Sequence, residues 1–315
     1  MFKARNLWSL LLLTAFALGF AACNNDDDEQ PMTPTTEQTI VEVAAGDAQF
    51  STLVSALERV GLVATLEGPG PFTVFAPTNA AFAALGIDLA TVSDEALTEI
   101  LLYHVFGGEV KAGDLQEGQT YATTAATTGP GNTQLSLLVE KTGNMVRVNN
   151  AASVTTADII TKNGVIHVID AVLMPLDIVG HAAANSNFTQ LVGALSAAPG
   201  DLVSVLQGDG PFTVFAPLNS AFEAISGTIA TLSPEQIAKV LTYHVVGGAN
   251  VRSSALTNGQ VVTTVNGDTF VVNISGNNVS ITDKTGNNVS VALADVQATN
   301  GVIHVITEVL IPDNL

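Results

Sequence analysis

The 315-residue chain holds one cysteine, one tryptophan and three tyrosines. A single thiol cannot form an intramolecular disulfide, so an apolar core has to hold the fold. The lone Trp8 lies close to the N-terminus, and an extended platform of stacked aromatic rings for sugars is not expected in the remainder. Charge is sparse: 12% of residues are charged and 47% hydrophobic, a balance that argues against long disordered or coiled-coil stretches. Basic residues are scarce, with 10 Lys and Arg against 29 Asp and Glu, for a formal charge of −19. Such a chain repels nucleic acid, whose binding rests on neutralising phosphates. Enzyme signatures are missing too. There is no Gly-x-Ser-x-Gly elbow, no phosphate-cradling loop ending in Lys-Ser/Thr and no His-Glu-x-x-His. No Asp-x-Asp-x-Asp-Gly loop and no His or Cys pair at ligand spacing occurs, so neither a metal nor a cofactor is expected.

What is present begins with a leader. Lys3 and Arg5 precede an apolar run from Leu7 to Ala22, shorter than a membrane span needs. It ends in Phe20-Ala21-Ala22-Cys23. Small residues before a lone cysteine resemble a bacterial lipobox, in which the thiol of Cys23 is acylated and the chain is cut before it. Phe20 stands where that motif usually has Leu. The alternative is an ordinary secretory peptide cut near Ala22. Removing residues 1–22 takes away two bases and no acid, which moves the formal charge from −19 to −21. A chain that acidic is repelled by anionic membranes, which favours a covalent lipid over electrostatic adsorption. Residues 23–37, with the run Asp26 to Glu29 and then Pro and Thr, read as a solvated tether. An acidic run after such a cysteine resembles the surface-export signal of Bacteroidetes-type lipoproteins; a plain linker is the other reading.

The rest is one unit written twice. Gly70-Pro71-Phe72-Thr73-Val74-Phe75-Ala76-Pro77 returns at Gly210 to Pro217, and Tyr103-His104-Val105 returns at Tyr243 to Val245. Asn163-Gly164-Val165-Ile166-His167-Val168-Ile169 returns at Asn300 to Ile306. The period is too long for a solenoid unit, so the copies are domains, placed at 38–175 and 176–315. Phe50, Leu53, Leu57 and Val60 recur at helical spacing, as do Phe188, Leu191 and Leu195. A short strand, Phe72 to Ala76, stops at Pro77. Thr78 or Asn79, and Asn219 in the second copy, are expected to cap a short helix. Ser93 and Ser233 start a longer helix, the second with Pro234 and a Gln236 capping box. Gly107-Gly108 and Gly247-Gly248 are expected to end these helices. A β-rich meander follows, closing on an apolar strand from Val302 to Ile311. Helices before a meander predict an α+β domain.

These blocks resemble the fasciclin domain family, over both copies. The resemblance implies a β wedge with several helices in each domain. It also implies placement outside the cytoplasm and adhesion to surface proteins or glycans of the same or neighbouring cells. With the lipobox, the expected location is the outer membrane or cell surface, held by lipid on Cys23, or else a periplasm-facing position. A small-molecule or glycan-binding lipoprotein with an apolar pocket is the alternative. The positions that match the family's adhesion motif are Tyr103, His104, Tyr243 and His244. The competing reading of the same residues is structural, with each histidine satisfying backbone groups at the end of a buried helix. His167 and His304, between apolar neighbours of the last strand, read as structural, and His181, without a counterpart in the first copy, reads as surface.

Overall fold

A computed structural model describes residues 37–313 and 315. The leader, Cys23 and the tether up to residue 36 lie outside the described residues. Both copies fall within one compact unit. Repeat 1 runs α1 (Ile40–Gly46), α2 (Ser51–Arg59), α3 (Val63–Leu66), β1 (Phe72–Pro77), α4 (Asn79–Leu85) and α5 (Asp94–Tyr103). It then runs β2 (Val105–Gly107), β3 (Gly118–Thr123), β4 (Ser136–Thr142), β5 (Met145–Val148), β6 (Ala152–Thr161) and β7 (Gly164–Ile169). Repeat 2 repeats this as α6 (Ile178–Ala184), α7 (Thr189–Ala197), α8 (Leu202–Leu206), β8 (Phe212–Pro217), α9 (Asn219–Ala224), α10 (Ser226–Ile229) and α11 (Pro234–Tyr243). Its strands are β9 (Val245–Gly247), β10 (Val261–Thr263), β11 (Thr269–Ser275), β12 (Asn278–Thr282), β13 (Asn288–Ala298) and β14 (Gly301–Ile306).

Each repeat has one seven-stranded sheet, in the orders β2-β1-β7-β6-β5-β4-β3 and β10-β11-β12-β13-β14-β8-β9. The meander is antiparallel, but β1 returns to lie parallel to β7, with Phe75 opposite His167, and β8 does the same against β14. These central strands are buried on both faces and feed two cores by alternation. Val74, Ala76, Ile166 and Val168 face the helices. Phe75 and Ile169 face the wedge, with Tyr103, Phe106 and Leu137. In repeat 2 the wedge is packed by Phe215 and Phe270, whose rings meet edge to face at 5.0 Å.

Several local signals act as read. Ser93 accepts from Ala96 N, and Ser233 with Gln236 forms the full capping box. Others differ, for definite reasons. Thr78 caps α4, but Asn219 does not cap α9; its Oδ1 accepts from Gln190 N at 3.0 Å and ties α9 to α7. The long helices stop at Tyr103 and Tyr243, before the glycines, because Val105 and Val245 at once join edge strands. The last strand ends at Ile306 rather than Ile311. Helices α1 and α6 add a turn of packing ahead of the helix that the periodicity marks.

A buried asparagine locks the ends of each unit together. Asn163 Oδ1 accepts from Ile40 N at 3.0 Å, and its Nδ2 donates to Leu66 and Gly68 carbonyls at 2.7 and 3.0 Å. Asn300 repeats this with Ile178, Leu206 and Gly208. The following Gly164 and Gly301 are required by close approach: a Cβ at either would overlap the Phe72 or Phe212 carbonyl oxygen. Asn163→Ala and Asn300→Ala each leave buried backbone groups unpaired. Each is expected to destabilise its repeat by about 3 kcal/mol. Urea denaturation would measure this, and an unchanged midpoint in both variants would remove the asparagine from the list of fold determinants.

Candidate functional site

Tyr103-His104 and Tyr243-His244 sit where the long helix meets the sheet, and all four are essentially buried. His104 is the C-cap of α5. Leu173 N donates to its Nε2 at 2.8 Å, which leaves the proton on Nδ1, and Nδ1 donates to Ile100 O at 2.7 Å. His244 is held identically, with Leu310 N at 2.9 Å and Val240 O at 2.8 Å. Both rings bridge the helix end to the segment leaving the last strand. Tyr103 Oη donates to Ser136 O at 2.9 Å and accepts from Asn149 Nδ2 at 3.0 Å; Tyr243 Oη donates to Thr269 O at 2.9 Å. Burial raises the Tyr103 phenol well above the usual range and pushes Tyr243 up to about 12. All four side chains are thus enclosed, with their polar atoms engaged inside the domain.

His167 and His304 complete the pattern on the last strands. Each Nδ1 accepts from a backbone N–H in the bulged neighbouring strand, Asp158 or Asp295, at 3.3 Å. Each Nε2 donates to Val110 O or Val251 O at 2.9 Å. The imidazoles lie against Phe75 and Phe215. Burial lowers the pKa of His304.

His181 corrects the surface reading. It is fully buried on α6, where the repeats meet, and its ring packs 5.7 Å from Tyr121 of repeat 1. Neither ring nitrogen has a partner in hydrogen-bond geometry. Sequence reading missed it because the partner ring lies 60 residues upstream, in the other repeat. Around it the joint is polar. Asn185 Nδ2 donates to Tyr121 Oη at 3.1 Å, Asn187 Nδ2 to Gln119 Oε1 at 2.8 Å, and Gln297 N to Ser136 Oγ at 2.9 Å. The counterparts of Tyr121 and Gln297 in the other repeat are Val261 and Ile160, which stand exposed at 62% and 38%. Among the described residues, no group of three His, Cys, Asp or Glu is placed to hold a metal ion.

The comparisons with known proteins agree with this architecture. The fasciclin domain model matches residues 48–175 and 186–312. The chain belongs to the fasciclin domain family. Protein sll1483 of Synechocystis sp. is 39% identical over 55% of this chain and 97% of its own length. Transforming growth factor-beta-induced protein ig-h3 of Sus scrofa is 33% identical over 79% of this chain, which spans 36% of that protein. Human periostin is 30% identical over the same share, and the chain spans 29% of it. Among solved structures, a FAS1 domain pair from the insect cell adhesion molecule fasciclin I superposes with a TM-score of 0.53. It covers 83% of this chain and 96% of that one at 18% identity, a likeness of fold. The fasciclin pair is thus α+β, two tandem domains each built on a nearly closed sheet with several helices.

The buried imidazoles predict a pH response. Burial pushes His104, His181 and His244 down to about 4. In the unfolded chain they protonate near the usual value of about 6.5. Below that pH the unfolded state takes up protons that the native state excludes, so the stability these three groups contribute falls as pH drops from about 6.5 to about 4 and is constant above. Each group accounts for on the order of 3 kcal/mol across that window. His181→Leu removes a buried polar ring whose polar neighbour, the Gln297 backbone, stands outside good hydrogen-bond geometry, so its melting temperature should exceed the parent's, more at pH 5 than at pH 8. Thermal melts at both values check this, and an equal or lower melting temperature at pH 5 would refute it.

Proposed function

We infer an interaction role for this chain from its two fasciclin domains, which occur in cell-adhesion and extracellular-matrix proteins. We propose that this fasciclin pair works outside the cytoplasm as a lipid-anchored adhesion or interaction protein. It binds proteins or glycans at the surface of its own or neighbouring cells, and it is tethered to the outer membrane through an acylated Cys23. The observation that carries the reading is the pairing of two domains into one compact unit whose recurring sequence blocks are spent on scaffold. The imidazole, phenol and carboxamide groups of those blocks are enclosed and hydrogen-bonded to backbone. What the pair offers to solution is outer surface, and that surface, not the Tyr-His blocks, makes the contact. The acidic charge adds support, since it keeps a displayed protein soluble. The membrane link then rests on the lipid, with 15 residues of tether (23–37) giving reach.

Cys23→Ala is expected to move the protein from the membrane fraction to the soluble one, with loss of palmitate label. Label retained on the variant would refute the anchor. For the contact itself, His244→Ala should lower the melting temperature while adhesion to the producer's envelope, measured below the melt, stays within twofold. Lost adhesion with an unchanged melt would move the contact back to the Tyr-His block.

A further inference from the structure

The two helix layers differ at one place. In repeat 2 the end of α7, the α9–α10 segment and the start of α11 enclose a groove of about 420 Å³. That lies within the usual 300–1,000 Å³ range of small-molecule sites. Ala197, Ile229, Leu232 and Pro234 stand at its mouth, and Phe222 and Leu241 lie deeper. No lining residue is charged, and the polar ones are Gln190 and Thr228. Gln190 is already bonded to Glu223, at 3.4 Å.

Repeat 1 fills the same place with a guanidinium. The last residue of α2 is Arg59 where α7 ends in Ala197, and α5 begins with Asp94 where α11 begins with Pro234. Arg59 Nε donates to Asp94 Oδ1 at 2.8 Å, and its Nη1 and Nη2 donate to Leu89 O and Val92 O, each at 2.6 Å. Leu89 and Val92 correspond to Ile229 and Leu232, so all four residues of the clamp, Arg59 and its three partners, have counterparts that line the groove. Asp88 corresponds to Thr228 in the same register. Three charges in repeat 1 are thus replaced by three neutral side chains in repeat 2, and a clamped surface becomes an open one.

We propose that the repeat 2 groove is a binding site for a compact, uncharged, largely apolar small molecule. The class follows from the lining. An anion, such as a fatty carboxylate, would find no cation there, would face Glu223 beside the rim and would approach a strongly acidic protein. A cation would find no carboxylate in the lining. The exposed large hydrophobics of this repeat, Val205, Val261, Val265 and Leu293, lie outside the groove.

The test grafts the clamp of repeat 1 onto repeat 2. The full chain is titrated with N-phenyl-1-naphthylamine, a neutral fluorescent hydrophobe, and with 8-anilinonaphthalene-1-sulfonate, which adds a negative charge to a similar ring system. The parent chain should show one saturable site for the neutral probe, with the sulfonate at least tenfold weaker at low salt. Ala197→Arg with Pro234→Asp should weaken the neutral probe at least tenfold while the melting temperature stays within a few degrees, since Asp suits the first turn of a helix. Ala197→Leu, which narrows the groove without adding charge, should weaken it as well and guards against a misfolded double variant. Unchanged binding in both variants overturns the site. Equal affinity for the two probes overturns the uncharged class. A concentration-dependent dimer that the double variant abolishes would make the groove a contact between copies and overturn the small-molecule assignment.

Discussion

A neutral imidazole at the end of the long helix is the contact on which each domain depends. His104 joins the last turn of α5 to Leu173, just after the final strand, and His244 joins α11 to Leu310 in the same way. Helix layer, sheet and exit segment are thereby fixed by one ring that must give a proton on one side and accept one on the other. Only the neutral form can do both. The low basicity of these groups is therefore a condition of the architecture. In repeat 1 the clamp also sets the chain's departure through Met174-Pro175 into the second domain, so the joint between domains inherits its geometry from a buried side chain.

Much of the fold was legible in the sequence because its signals are local. Capping serines, the stop at Pro77, β-branched runs and the duplicated blocks each act over a few residues. What was not legible depends on distant partners. The parallel pairing of β1 with β7 spans some 90 residues, and nothing in Phe72 to Ala76 announces which strand it will join. Asn219 looks like a cap from sequence but finds Gln190 across a helix interface. His181 has the polarity of a surface residue and is enclosed only because the second repeat brings it against Tyr121. The Tyr-His blocks illustrate the converse. Their recurrence marks them as important, but recurrence alone does not separate a group that holds the fold from one that meets a partner. Hydrogen-bond accounting separates them, since every polar atom in those blocks is used inside.

Duplication then left two scaffolds that agree inside and diverge outside. The Asn163 and Asn300 clips, the four strand and helix histidines and the paired glycines are the same in both. Arg59 and Ala197 occupy one position with opposite consequences, a clamp in one copy and an opening in the other. Divergence of this kind is inexpensive because it lies on the helix layer, away from the closed sheet and its buried network.

The joint between the repeats has two unlike sides: Tyr121, Gln119 and Ser136 on one, His181, Asn185 and Gln297 on the other. An association of unlike patches can in principle propagate head to tail into fibres. Here the leftover halves no longer match. Val261 replaces Tyr121 on the outer side of repeat 2, while Val43 and Ile160 replace His181 and Gln297 on repeat 1. What each molecule leaves outward at these positions is therefore aliphatic, Val261 at one end and Ile160 at the other, in place of the ring and amide contacts that join the two repeats.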